Sequence, residues 1–144
     1  MAQRGSTLIE QLIAMLVLSI GLLGVAGLQL TGLKNTGSAY YRSQAAIYTH
    51  EMLDRLRANY QAAIDGNYDI TLKALSDLTQ PSTGASVAAV DTYDWLRNLD
   101  SVVPGAKGAI DCDANSVCLV TVQWDDSRAE GSNSTKTHQL AARL

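Results

Sequence analysis

Gln11–Leu33 reads QLIAMLVLSIGLLGVAGLQLTGL, 23 consecutive residues without an Asp, Glu, Lys or Arg. Wound as an α-helix at about 1.5 Å per residue, this stretch is roughly 34 Å long, enough to cross a hydrocarbon core of about 30 Å. The core helix of a soluble protein shows a polar face within every two turns, and this stretch shows none. A membrane span is therefore the reading. A cleaved secretory signal fits poorly, because such signals have an apolar region of roughly 7–15 residues with a small-residue cleavage site behind it. Here the small residues Gly21–Gly27 lie inside a longer run, and the junction Arg4-Gly5-Ser6 lies in front of it. Charge says little about orientation, with Arg4 on one side and Lys34 and Arg42 on the other.

Outside this stretch the chain is ordinary. It has 144 residues, 47% apolar and 17% charged, with a formal net charge of −3. That much apolar material excludes a disordered tail, and the acidic balance argues against a nucleic-acid partner. Of the 25 charged residues, 23 fall from Lys34 onward. A mean hydropathy of +0.00 thus averages two unlike segments, an apolar anchor and a normally charged domain.

Glu10 is the exception within the anchor. A carboxylate one turn into an apolar helix is costly at membrane depth and calls for a partner, although the positive end of the helix dipole or solvent at headgroup level would ease it. No cation of matching depth exists in the apolar run. A chain cut after Gly5 would supply one, the new α-amino group of Ser6, one helical turn from Glu10 of its own or a neighbouring copy.

Gly5-Ser6-Thr7-Leu8-Ile9-Glu10, followed by the long apolar run, resembles the class III signal of type IV pilins and pseudopilins. The resemblance implies cleavage by a prepilin peptidase between Gly5 and Ser6, N-methylation of Ser6, and pairing of Glu10 with the terminal amine of an adjacent subunit, which sets subunit register. One departure is Ser6 itself, where the family commonly has Phe. Ser19–Gln29, Ser43-Gln44-Ala45 and Asp54–Asn59 narrow the likeness to a minor pilin of the pilus-modification class.

The implied fold is α+β and type IV pilin-like: a long N-terminal helix, membrane-spanning in its first half, packed on a small antiparallel β-sheet. The implied division is a leader at 1–5, a transmembrane and filament-core helix at 6–33, its amphipathic continuation at 34–60, and a periplasmic globular β domain at 61–144. The implied role is pilus assembly or initiation, with pilus-dependent motility or adhesion. Its partners would be the major pilin, other minor pilins, the prepilin peptidase and inner-membrane lipid. No cofactor, metal or nucleic acid is expected. Two alternatives are a type II secretion pseudopilin, which would share every feature before residue 60, and a binding or adhesion module at a pilus tip.

Gly21, Gly24 and Gly27 each weaken a helix by about 1 kcal/mol relative to Ala in water, and small residues permit close helix approach in a membrane. They are read as packing or flexibility points. Beyond Lys34, Tyr41, Ala45, Tyr48, Met52 and Leu56 recur at helical spacing, with Arg42, Gln44, His50, Glu51, Asp54, Arg55 and Arg57 as a solvated face. No proline interrupts residues 6–60, so the sequence predicts one helix of about 80 Å, bent near Gly32–Gly37.

Gly66-Asn67 signals a turn, Ile70–Leu78 suits a short helix or an extended segment, and Pro81–Gly84 is a break. Asp91 or Thr92 is expected to cap a brief helix holding Trp95, Leu96 and Leu99, with Trp95 a core anchor. Val117–Trp124 reads as a strand whose Cys118, Val120, Val122 and Trp124 share one face, hairpinned to Ala109–Cys112. Asp125–Ser134 reads as a polar loop and Thr135–Arg143 as a further strand, in a sheet of three or four.

Cys112 and Cys118 straddle the hairpin. Two cysteines do not make a zinc site, their spacing is not Cys-x-x-Cys, and a periplasmic setting favours a disulfide worth roughly 2–3 kcal/mol on the chain-entropy estimate. Asp111–Asn115 begins like a calcium loop, with Asp125 or Asp126 as distant helpers, but Ser116 and Val122 stand where the pattern needs Gly and Glu. Asn133-Ser134-Thr135 is a formal sequon to which no role is assigned. With no nucleophile elbow, phosphate loop or paired-carboxylate site, the sequence reads as non-enzymatic.

Overall fold

The computed structural model describes residues 7–103, 105–127 and 135–144. Helix α1 runs unbroken from Leu8 to Ala58, 51 residues or about 76 Å. It passes through Gly32 and Gly37 without losing helical pairing. Two hydroxyls along it are absorbed by the helix itself. Ser19 Oγ donates to the Met15 carbonyl at 2.7 Å and Thr36 Oγ1 to the Gly32 carbonyl at 2.9 Å. Neither therefore disrupts an apolar surface.

The second half of α1 supplies one wall of the core. Ala45, Met52 and Leu56 are fully buried and Tyr41 and Tyr48 half-buried, as the spacing predicts. Thr49 and Leu53 join them, widening the stripe. Thr49 tolerates full burial because its Oγ1 donates to the Ala46 carbonyl at 2.8 Å.

A short helix α2 (Tyr60–Ile64) follows. The chain turns away just beyond it at Gly66, whose φ of +76° disfavours any side chain. Strand β1 (Ile70–Ala74) then runs into a 3-10 turn at Leu75–Asp77. The ambiguous stretch is thus extended first and helical second.

Helix α3 spans Val87–Val102 and begins earlier than the sequence suggested. Its cap is Ser86, whose Oγ accepts from the Ala89 amide at 3.2 Å, not Asp91 or Thr92. Ser86 precedes Val87–Val90, which extend the helix by a full turn. Asp91 and Thr92 are left in its interior, facing α1 or the core.

Strands β2 (Lys107–Cys112), β3 (Val117–Asp125) and β4 (Thr135–Arg143) complete a four-stranded antiparallel sheet in the order β1-β2-β3-β4. Ile110 pairs with Val120, which pairs in turn with Leu140. Cys118, Val120, Val122 and Trp124 all point into the core. One face of the sheet is covered by two helices, α1 over β3 and β4, and α3 over β2.

Trp95 lies at the centre of this layer. It is 0% exposed, and its Nε1 donates to the Tyr48 carbonyl of α1 at 2.9 Å. The indole lies against Gly108 of β2, where a Cβ would overlap the ring and come 2.9 Å from Leu96 Cδ2. Gly108→Ala is therefore expected to cost about 1–3 kcal/mol by overpacking. Gly37→Ala, where a Cβ meets nothing within 4 Å, is expected to be neutral or slightly stabilising. Denaturant unfolding of the full chain in detergent checks both, and an unchanged midpoint for Gly108→Ala would contradict this packing.

Candidate assembly surface and the head-domain hairpin

The first half of α1 has no contact with the core. Leu8, Leu12, Leu16, Leu22, Leu28 and Leu33 are each at least 60% exposed. Over the most apolar 18 residues of the helix the mean hydropathy is 2.2, and none of that segment is buried. Soluble monomers rarely expose contiguous apolar patches beyond a few hundred Å². This surface requires cover from lipid or from other helices.

Glu10 sits in the first turn, exposed, its amide donating to the Thr7 carbonyl at 3.0 Å. It has no ion-pair partner among the described residues. Gly5 and Ser6 lie outside the described residues. Gly21, Gly24 and Gly27 recur every three residues, so they spread over roughly 120° of the helix circumference. A Cβ at any of them meets nothing within 4 Å. Packing among the described residues gives no reason for glycine at these positions.

The far end of the head domain is closed by the Cys112–Cys118 disulfide, which joins two residues directly opposed in the β2–β3 ladder. Asp113, the first residue of the connecting loop, turns its carboxylate onto the loop backbone. Its Oδ1 accepts from the Val117 amide at 2.8 Å and the Asn115 amide at 2.9 Å. These bonds, Val117's foremost, hold its carboxyl below the usual carboxylate range. Asp113, the third position of the calcium-like stretch that begins at Asp111, thus spends its carboxylate on the turn. Among the described residues no three His, Cys, Asp or Glu side chains come together as a metal site would need. Ser116 adopts φ +61°, and its Oγ shares a 2.9 Å hydrogen bond with the Tyr60 hydroxyl. Its carbonyl accepts from the Leu144 amide at 2.9 Å, so the hairpin tip ties down both α2 and the C-terminus.

His50 is exposed, as expected. Arg55, expected on the solvated face, instead joins α1 to α3. Its guanidinium donates to Glu51 at 2.7 Å and to Asp91 Oδ1 at 3.1 Å. The other Asp91 oxygen accepts from the buried Tyr68 hydroxyl at 2.7 Å, and Asn59 Nδ2 donates to that hydroxyl at 3.0 Å. Burial opposes the charge on Arg55, but Glu51 and Asp91 outweigh it and raise its pKa. Burial, followed by the hydrogen bond to Asp91, pushes the Tyr68 phenol up. Composition alone marks Arg55 as a surface residue, because its partner on α3 is 36 residues away.

Residues 1–26 match the family model for the prokaryotic N-terminal methylation motif, the class III signal of type IV pilin-like proteins. No curated protein and no solved structure matches the chain. The motif ends inside the apolar half of α1. The α+β layout of a long apolar helix on a four-stranded antiparallel sheet is pilin-like.

Two shifted groups, Asp113 and Tyr68, make the stability of the head domain depend on pH. Asp113 has a lowered folded value, so its contribution is present above its unfolded value of about 4 and is lost as pH falls below it. Tyr68 has a raised value, so its contribution is present below about 10 and is lost as pH rises through the folded value. The unfolding midpoint is expected to be flat between these limits and to fall on both sides. Asp113→Asn should flatten the acid limb and Tyr68→Phe the alkaline limb. Midpoints measured across pH would contradict this if neither substitution altered its limb.

Proposed function

We propose that this chain is a minor pilin of a type IV pilus, similar to the minor pilin PilV, held in the inner membrane until it enters a filament. The observation that carries this reading is a coincidence in one helix. The methylation motif at 1–26 begins an apolar surface that the chain's own fold leaves bare. The proposed division is a leader at 1–5, a transmembrane and filament-core helix at 6–33, an amphipathic continuation at 34–60 and a periplasmic head at 61–144. A periplasmic head suits the Cys112–Cys118 disulfide, since that compartment keeps such bonds oxidised.

In this reading a prepilin peptidase cuts between Gly5 and Ser6 and methylates Ser6. The new cation lies one turn from Glu10, and an apolar environment makes an isolated carboxylate costly. A neighbour whose terminal amine reaches Glu10 removes that cost only at one axial offset, so the pair selects register. Lateral packing of the apolar halves with major and minor pilins supplies cohesion, and Gly21, Gly24 and Gly27 let neighbouring backbones approach or let the helix loosen on leaving lipid. The role is structural rather than catalytic.

The N-terminus of the protein, taken from cells with and without the prepilin peptidase, tests the reading. The expected result is a mature chain starting at Ser6 only when the peptidase is present. An intact Met1 in both strains, or a cut after Gly27 or beyond, would overturn it.

A further inference from the structure

The head domain is electrically polar along α1. At its far end, beside the Tyr60–Ser116 contact, Asp65, Asp69, Asp111 and Asp113 outnumber the cations there, Arg143 and Arg57, the latter paired with Asp54 at 2.9 Å. At its near end, where the apolar half of α1 emerges, lie Lys34, Arg42, Lys107 and Lys136. The strand register fixes the two ends. Asp125 pairs with Thr135 beside Ser38, whereas Val117 pairs with Arg143 beside the hairpin tip.

Four acids also lie near the basic end, and each is engaged locally, Asp77 by the Ala74 amide at 2.9 Å. Asp126, 3% exposed, accepts from Ser38 Oγ at 2.5 Å. Asp100 accepts from the Gly105 amide at 2.8 Å. Asp125 accepts from the Ser127 amide at 2.9 Å and its hydroxyl at 3.2 Å. The cations, by contrast, have no ion-pair partner among the described residues.

Between α1 and β4 at this basic end is an open groove of about 460 Å³, lined by Asn35, Ser38, Arg42, Ser43 and His138 among others. Asn35 follows the last residue of the uncharged run by two positions, so it begins at headgroup depth. Arg42 lies about 13 Å beyond Leu33 along the axis, within reach of that layer for a side chain that extends toward the interface. Tyr40, half exposed, and Tyr41 stand at the same level, where aromatic residues anchor helices at membrane surfaces.

We propose that this groove seats the phosphodiester of an anionic phospholipid, with Arg42 and His138 as the principal donors and Lys34 and Lys136 supplying field. The proposal rests on the membrane reading above. Seating a lipid there holds the head against the bilayer in one orientation, with its acidic end away from the anionic surface. A subunit leaving the membrane gives up this contact.

The test is native mass spectrometry of the detergent-solubilised full chain titrated with phosphatidylglycerol, phosphatidylcholine or inorganic phosphate. One phosphatidylglycerol should be retained at least fivefold more than phosphatidylcholine, and Arg42→Gln should cut that preference about fivefold, as the attraction per Arg implies, while His138→Gln, which removes a hydrogen-bond donor, should lower it by less. Arg57→Gln, at the far end, should leave it unchanged. Inorganic phosphate should fail to compete, and matched thermal unfolding should show that the variants are folded.

Equal retention of both lipids, displacement by equimolar phosphate, or an unaffected Arg42→Gln would overturn the proposal. So would cross-linking of Arg42 to a carboxylate of a second copy that excludes the lipid. Carbonate extraction of membranes separates the two readings. A chain that resists extraction but does not discriminate between lipids loses only the seat, while a chain released by carbonate loses the anchor as well.

Discussion

Burial of apolar surface stabilises at about 25 cal/mol per Å², and α1 obtains that burial within the chain over only its second half. From Ala45 to Leu56 it lies against the sheet and α3. From Leu8 to Leu33 no described residue is buried, and all but the half-buried Thr31 are exposed. The two halves are one continuous helix, because helical pairing runs through Gly32 and Gly37. Whatever covers the first half therefore determines where the head domain stands. The head, in turn, must be complete without that half, and its core is: Trp95, packed on Gly108 and bonded to the Tyr48 carbonyl, locks both helices onto the sheet.

An apolar surrounding, of lipid or of other helices, restricts which polar groups the bare half can carry. Ser19 returns its hydroxyl to the helix, so it is neutral in lipid. Glu10 has no such recourse among the described residues, and a charge without a partner at that depth is a demand on another molecule. Gly21, Gly24 and Gly27 have the same character, since no neighbour within the chain requires their missing side chains. The features that look unexplained inside one copy are the features an assembly would use.

Much of this was legible in the residues. Gln11–Leu33 announced itself by the absence of charge, the stripe from Tyr41 to Leu56 by its period, and β3 by alternation that the structure reproduces residue for residue. The parts that were not legible depend on long-range contacts. Arg55 looks solvated until α3 brings Asp91 beside it, and the start of α3 depended on Ser86, an unremarkable serine after a break. β1 was ambiguous because five residues are too few to set a period. The groove between α1 and β4 is lined by Arg42 and His138, which only the packing of the helix on the sheet brings together, and no local pattern encodes that. Residues 1–6, where the proposed cleavage falls, lie outside the described part, and the reading there rests on the motif.

None of the described residues of the chain covers the apolar surface of Leu8–Leu33. Spin labels placed singly at positions 12–33 of the full chain, reconstituted at high dilution in bilayers, test this most directly. Accessibility to oxygen should exceed accessibility to a water-soluble nickel reagent throughout, with no side of the helix protected from lipid. A stripe of protected positions recurring about every 3.6 residues in the dilute protein would mean that the chain folds back to cover its own helix, and would contradict the account.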